Sequence, residues 1–183
     1  FQNYIRNNSI DANYSKITEN GWHLNLKGAT TQSKTNSAIA GGNEDDSAKN
    51  FQINLNGVKW INDELKFKST FYSRKTKADY DGSATDEKGY VSNNKMYVLQ
   101  SGFEHKSKNY EDSLIFHYHN YDREYDNATY LDEYDSESFV IKGERSIKTN
   151  NKISFGYGSE YKYDWGAFEN RGSYTASTKG HMK

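Results

Sequence analysis

The chain has 183 residues, with 24 Lys and Arg against 25 Asp and Glu, and a net charge of −1 gives no indication of nucleic-acid binding. Only 33% of the residues are hydrophobic and the mean hydropathy is −1.10, values that are typical of disordered chains. Yet 15% are aromatic, including 16 Tyr, and Pro is absent, so the composition favours long paired strands over disorder.

Alternation of apolar and polar residues predicts eight strands, because successive side chains of a strand point to opposite faces. The predicted strands are residues 9–17, 22–29, 51–60, 65–74, 95–105, 113–121, 138–144 and 153–160. Four connections are short, and the first of them contains Asn20-Gly21, which readily supplies positive φ. Polar loops are predicted at about 35–46, 77–94 and 122–134, and residues 162–183 are predicted to be loop-like.

The hairpin at 95–121 illustrates the two faces that these strands present. Leu99 and Phe103 alternate with Gln100 and Glu104, and a similar alternation follows in the next strand. Taken alone, such a hairpin is compatible with any sheet that has one apolar face, including one sheet of a soluble sandwich. Short and long connections, however, alternate along the chain, and the predicted strands are near the length of about 9 to 11 residues that crosses a bilayer at a tilt.

The residues between the apolar positions include many charges, which favour a wide, wet interior because an unpaired buried charge is costly. These inward residues are Lys27, Lys66, Lys68, Arg74, Glu104, Lys142 and Glu144. Aromatic residues near the strand ends suit the interfacial girdles of a membrane barrel. The predicted girdle residues are Tyr14, Trp22, Trp60, Tyr118 and Tyr157. The predicted fold is all-β, with antiparallel transmembrane β-barrel strands, short periplasmic turns and long extracellular loops.

Three segments resemble the barrel of TonB-dependent outer-membrane receptors, most closely the vitamin B12 (cobalamin) receptor group. They are FQINLNGVKWINDELKFKSTFYSRKTKADYD (51–81), SGFEHKSKNYEDSLIFHYHNYDREYD (101–126) and ISFGYGSEYKYDWGAF (153–168). The resemblance rests on pattern and spacing over most of the chain. It implies a 22-stranded barrel with a plug domain, in a Gram-negative outer membrane, that imports cobalamin or a siderophore-type metal chelate using the TonB complex.

The chain departs from that pattern because it carries no plug domain, no TonB box and no closing C-terminal strand. We therefore expect residues 1–183 to be one barrel segment, a fragment of about a third of such a barrel. Two alternatives stay open. One is a small outer-membrane barrel acting as an adhesin, a structural protein or a lipid-modifying enzyme, and the other is a soluble all-β module that binds carbohydrate.

The acidic segment at 79–87 offers hard oxygen ligands that suit Ca²⁺, although its spacing differs from that of an EF-hand. Its candidate metal ligands are Asp79, Asp81, Asp86 and Glu87. The resemblance supports this hypothesis, because loop aspartates of cobalamin receptors bind calcium. The alternative is a solvated acidic loop without a metal.

Tyrosines in the predicted loops are candidate ligand contacts, because Tyr presents a broad surface at low entropic cost. They are Tyr80, Tyr90, Tyr125, Tyr130 and Tyr134. His117 and His119 share a strand face, and the favoured interpretation is that they line the interior rather than bind a metal. Gly156-Tyr157-Gly158-Ser159 lacks the strand–turn–helix context of a nucleophile elbow, and no carboxylate pair is singled out, so an enzyme is not expected. No run approaches 18 apolar residues, and the absence of Cys excludes thiolate chemistry.

Overall fold

The chain folds into one antiparallel sheet, seen in a computed structural model that describes residues 5–36, 45–80, 90–127, 130–149, 153–172 and 177–182. The described residues contain no helix. Nine strands follow one another in sequence order, each paired with its predecessor. They are β1 (Ile5–Ile17), β2 (Trp22–Asn36), β3 (Asp45–Trp60), β4 (Leu65–Tyr80), β5 (Tyr90–Lys106), β6 (Tyr110–Asn127), β7 (Tyr130–Lys148), β8 (Ser154–Gly172) and β9 (Ser177–Met182).

The all-β antiparallel prediction is confirmed, but the predicted strands were too short. The first eight strands have 13 to 19 residues, and a ninth strand of 6 residues lies where a C-terminal loop was predicted. The loops predicted at about 35–46 and 77–94 were too long, because strands extend into both ranges and leave residues 37–44 and 81–89 between them. The third prediction is wrong, because only residues 128–129 separate β6 from β7. β1 pairs only with β2 and β9 only with β8 among the described residues, so the sheet is not closed.

Cross-strand register divides the side chains between two faces. On the face that we call the apolar face, large side chains lie opposite one another across all eight long strands. One row consists of Tyr14, Leu26, Leu55, Phe71, Leu99, Tyr118, Phe139 and Tyr163. On the polar face, a neighbouring row consists of Ser15, Asn25, Asn56, Thr70, Gln100, His117, Val140 and Lys162. The predicted inward charges share the polar face, as the alternation indicated.

Nothing covers the apolar face within the described part of the chain. No hydrophobic residue there is buried, and Ile10 is 72% exposed, Phe155 61% and Leu99 45%. A sheet normally buries one face against another layer, because burying apolar surface is the main stabilising term in folding. The sheet is therefore held together by its backbone ladder and by contacts between neighbouring side chains, and the described residues form no core behind it.

The short turns step steadily along the strands. One line of paired residues, the reference row, crosses the sheet through Ile17, His23, Val58, Lys68, Gly102, Ile115, Lys142 and Glu160. At the short turn between β1 and β2 this row meets the last residue of β1. At the short turn between β7 and β8 it lies six residues from the end of β7 at Lys148. The displacement is about one residue per strand, or ~3.3 Å for a strand spacing of ~4.8 Å. If the short turns lie in one plane, the strands are inclined by about 35°, the lower end of the barrel range.

The apolar side chains shift in the same direction as the turns. Toward the long connections the exposed large apolar side chains end at Phe51 on β3, seven residues from the reference row, but at Phe139 on β7, three residues from it. The half-buried Leu131 lies beyond this end of β7 on the same face, opposite Asp126. Toward the short turns the apolar side chains end at Trp22 on β2, one residue from the row, and reach Ile147 on β7, five residues from it. The apolar side chains thus form an oblique stripe, here called the apolar band.

Candidate ligand-facing site on the polar face

The predicted tyrosines lie in strands rather than in loops. Tyr90, Tyr125 and Tyr134 belong to β5, β6 and β7, and register places all three on the polar face, in the half nearer the long connections. Tyr80 pairs through its backbone with Tyr90, and Tyr130 pairs with Gly172; their side chains lie outside the described structure. The polar face therefore brings together three of the five predicted ligand contacts.

The one candidate calcium ligand that the structure describes, Asp79, does not lie beside these tyrosines. Asp79 lies at the end of β4 on the apolar face, where the Ser47 hydroxyl donates a 2.6 Å hydrogen bond to its Oδ2. Asp81, Asp86 and Glu87 lie outside the described residues. The described part of the chain contains no group of three or more His, Cys, Asp or Glu side chains able to hold a metal ion. The calcium hypothesis stays a prediction.

Two arginines that the sequence did not single out as ligand contacts lie beside these tyrosines. Arg74 on β4 and Arg123 on β6 line a hollow of about 360 Å³ together with Tyr121. The Nε of Arg74 donates to Asn50 Oδ1 at 2.8 Å, and the Tyr121 hydroxyl donates to Asn94 Oδ1 at 2.9 Å. Amide partners orient these side chains without neutralising the charge of Arg74.

Arg123 takes part in a stack of aromatic rings. Its guanidinium carbon lies 5.9 Å from the centre of the Tyr134 ring, and that ring lies 4.7 Å from the ring of Phe168 at 37°. Cation–π contact and stacking fix the orientation of a flat guanidinium while leaving its N–H edge available. The arrangement suits a planar or anionic group bound at this part of the face.

On β4 to β8 the cations in the other half of the polar face are paired, whereas Lys27 of β2 forms no ion pair with the described residues. Lys66 Nζ lies 2.7 Å from Glu104 Oε2 and Lys68 also pairs with Glu104, while Lys142 lies 2.8 Å from Glu144. Arg74 and Arg123, by contrast, form no ion pair with any carboxylate of the described residues. Positive charge without a protein counter-charge is therefore concentrated near the long connections, where it favours an anionic ligand.

Register places four of the five predicted girdle residues on the apolar face, while the girdle itself stays a prediction. Trp22 meets Phe67 edge-on with ring centres 5.9 Å apart, and Phe67 lies 5.1 Å from Phe103, so an aromatic row borders the apolar band near the short turns. Trp60 was placed wrongly, because register puts it on the polar face, where Lys66 Nζ lies 5.3 Å from its ring centre. Trp60 is the last residue of β3, and the alternation of apolar and polar residues does not predict the face at that position.

The histidines occupy separate positions. His117 and His119 share the polar face, as the alternation predicted, and lie opposite Gln100 and Val98. His105 is on the apolar face, with Nδ1 3.8 Å from Asp112. Their separation explains why they form no metal site within the described structure.

No helix of the described chain is long and apolar enough to cross a membrane. Comparison of the sequence with protein families finds no match, and no curated protein matches it. Inference about function therefore depends on the chemistry of the two sheet faces.

Proposed function

We propose that this chain forms part of the wall of an outer-membrane receptor barrel of the TonB-dependent kind, which takes up cobalamin or a siderophore-type metal chelate. The observation that carries the proposal is the oblique apolar band, which shifts along the strands together with the short turns. A planar slab of lipid that meets a sheet of inclined strands requires this combined displacement.

The absence of a core supports lipid as the solvent of the apolar face. Leu55, Phe71 and Leu99 lie side by side on neighbouring strands and nothing in the described chain packs over them. A bilayer would cover about 30 Å of such a surface. The opposite face carries hydrogen-bonded amides and ion pairs that suit a water-filled interior.

The two alternatives fit less well. A small closed barrel pairs its first and last strands, whereas β1 and β9 each have one partner in the described sheet. A soluble carbohydrate-binding module is favoured by the tyrosines of the polar face, but such a module needs a second layer on its apolar face.

Transport by such a receptor begins with capture of the ligand at the outer end of the wall. The hollow beside Arg74 and Arg123 is the candidate contact, since guanidinium groups bind carboxylate or phosphate through paired hydrogen bonds. Of the two substrate classes, this chemistry favours the more anionic siderophore-type chelate. The plug and the TonB complex, which would couple energy to passage, are partners that this proposal requires.

Membrane residence is tested by purifying the protein with and without detergent and comparing its migration on a gel before and after heating. A barrel requires detergent and migrates differently once heated. A folded protein that stays in solution without detergent refutes the proposal.

Ligand capture is tested with Arg74→Gln/Arg123→Gln, using tyrosine and tryptophan fluorescence to titrate a ferric carboxylate chelate and, separately, cobalamin. Loss of two charge-assisted contacts is expected to weaken binding of the anionic chelate by roughly 100-fold or more. Lys142→Gln is the matched control, because it removes a paired cation from the same face, and it should change affinity less than twofold. Equal affinities of the double variant and the wild type would exclude the arginines from the site.

A further inference from the structure

A cluster of cations lies on the apolar face, immediately beyond the apolar band on the side of the long connections. We call it the basic patch, and it spans β1 to β5. Its members are Arg6, Lys34, Lys49, Lys75, Lys77 and Lys95. Register puts all six on the apolar face, and the sequence analysis assigned no role to any of them.

The cations of the basic patch face each other directly across the strands. The three cross-strand pairs are Arg6 with Lys34, Lys49 with Lys77, and Lys75 with Lys95. Like charges in directly opposite positions destabilise a sheet. Three such pairs in one region indicate that an anion outside the described chain neutralises them.

Within the described residues a protein carboxylate supplies that negative charge to one of the six cations. Lys95 is the one member with an ion pair there, to Asp122 at 3.2 Å. Asp79 lies near Lys77 on the same face, but Ser47 bonds its carboxylate and no ion pair reaches a lysine. The other five cations are exposed to the surroundings of the sheet.

The patch is continuous with the apolar band. Phe51, the last exposed apolar residue of β3 on this face, is the cross-strand partner of Lys75. A molecule that touches both therefore has an apolar part and an anionic part separated by about one strand spacing, ~4.8 Å. That is the chemistry of a lipid at the boundary between its chains and its headgroup.

The patch is also confined to one sector of the wall. On β6 and β7 the same level of the face is acidic, with Asp122 opposite Asp135 and Glu124 opposite Glu133. The pair of Lys95 with Asp122 marks the boundary between the two sectors. An anionic partner is therefore directed to β1–β5.

We propose that the basic patch binds the phosphate groups of an anionic lipid in the leaflet on the side of the long connections. This inference rests on the proposed membrane function and adds a lipid partner to it. Lysine ammonium groups bind phosphate as flexible point charges, while the acyl chains of the lipid cover the apolar band around Phe51.

The test is native mass spectrometry of the detergent-solubilised protein, titrated with a bis-phosphorylated glycolipid (lipid A) or its dephosphorylated form. Lys49→Gln/Lys75→Gln/Lys77→Gln removes the centre of the patch. Each lysine near an anionic surface contributes about fivefold to affinity, so the triple variant should bind the phosphorylated lipid on the order of 100-fold more weakly. The dephosphorylated lipid should not distinguish the variant from the wild type.

The matched control is Lys16→Gln/Lys59→Gln/Lys108→Gln, which removes the same charge near the short turns and should leave affinity within twofold of the wild type. Equal retention of phosphorylated lipid by a folded, detergent-requiring triple variant overturns the lipid site alone. If inorganic phosphate alone occupies the basic patch, and the triple variant loses that binding to the same extent, the lipid is overturned as the occupant. A wild-type protein that folds without detergent instead overturns the membrane proposal on which the site rests.

Discussion

Leu99 provides the sharpest distinction between a face covered by lipid and one packed against protein. It lies within the apolar band on β5, opposite Phe71 on one side and Tyr118 on the other, and is 45% exposed in the isolated sheet. Two substitutions at this position are expected to affect the unfolding free energy differently in lipid and in a packed core. Leu99→Lys introduces a charge into the band, and Leu99→Trp introduces a larger apolar side chain.

In a bilayer the lysine costs about 2–4 kcal/mol at the middle of a barrel strand, because its ammonium loses water. The tryptophan has no rigid neighbour to displace, since lipid chains rearrange around it, and the free energy of unfolding should change by less than about 1 kcal/mol. In a packed core both substitutions are unfavourable, since overpacking costs about 1–3 kcal/mol.

The assay is reversible unfolding in urea from lipid vesicles, followed by tryptophan fluorescence. Gln100→Lys is the control, because Gln100 is the adjacent residue on the polar face and its replacement should change the unfolding free energy by less than about 0.5 kcal/mol. The reasoning is refuted if Leu99→Lys is as stable as the control, or if Leu99→Trp is as damaging as Leu99→Lys.

Two further predictions concern the sheet itself. Gly102→Ala places a methyl group against the carbonyl oxygen of Leu114, so unfolding free energy should fall by roughly 1–3 kcal/mol, whereas Gly28→Ala, with nothing within 4 Å of the added atom, should be neutral in the same urea titration. Glu104→Gln removes the carboxylate that pairs with Lys66 at 2.7 Å and with a second lysine, and the loss should be about 1 kcal/mol or less because the pairs are partly exposed. The loss should shrink further in high salt, and a loss of several kcal/mol that salt does not reduce would contradict it.

Alternation in the sequence predicts faces well, but it fails where both faces are polar. From Asp122 to Asp126 and from Leu131 to Asp135 polar side chains point both ways, so the period of two disappears although the backbone ladder continues. The same residues were therefore interpreted as a loop. The C-terminal end of β8 differs for another reason: the alternation of Tyr161, Tyr163 and Trp165 with polar residues continues past the predicted end at 160, in a segment predicted to be loop-like.

The grouping of the candidate site was predicted in part. Tyrosine is a favoured contact residue, which predicts Tyr90, Tyr125 and Tyr134 as contacts, and the three share a face. Arg123 was overlooked as a contact because its neighbours in sequence are acidic. Its relevant neighbour is Tyr134, eleven residues away across a hairpin that the sequence presented as a loop.

Register contains the information that alternation lacks. Lys49 and Lys77 are 28 residues apart, and each, taken alone, is an ordinary solvated lysine near a loop. Pairing of β3 with β4 puts them opposite each other, and the pairing of β4 with β5 adds Lys75 and Lys95. The same pairing places Phe51 beside Lys75, which joins a charged region to an apolar one. A one-residue slip of β4 would move Lys75 and Lys77 to the polar face and abolish both features. The short turn at 61–64 fixes that register, so its length determines whether this face presents cations to a lipid headgroup.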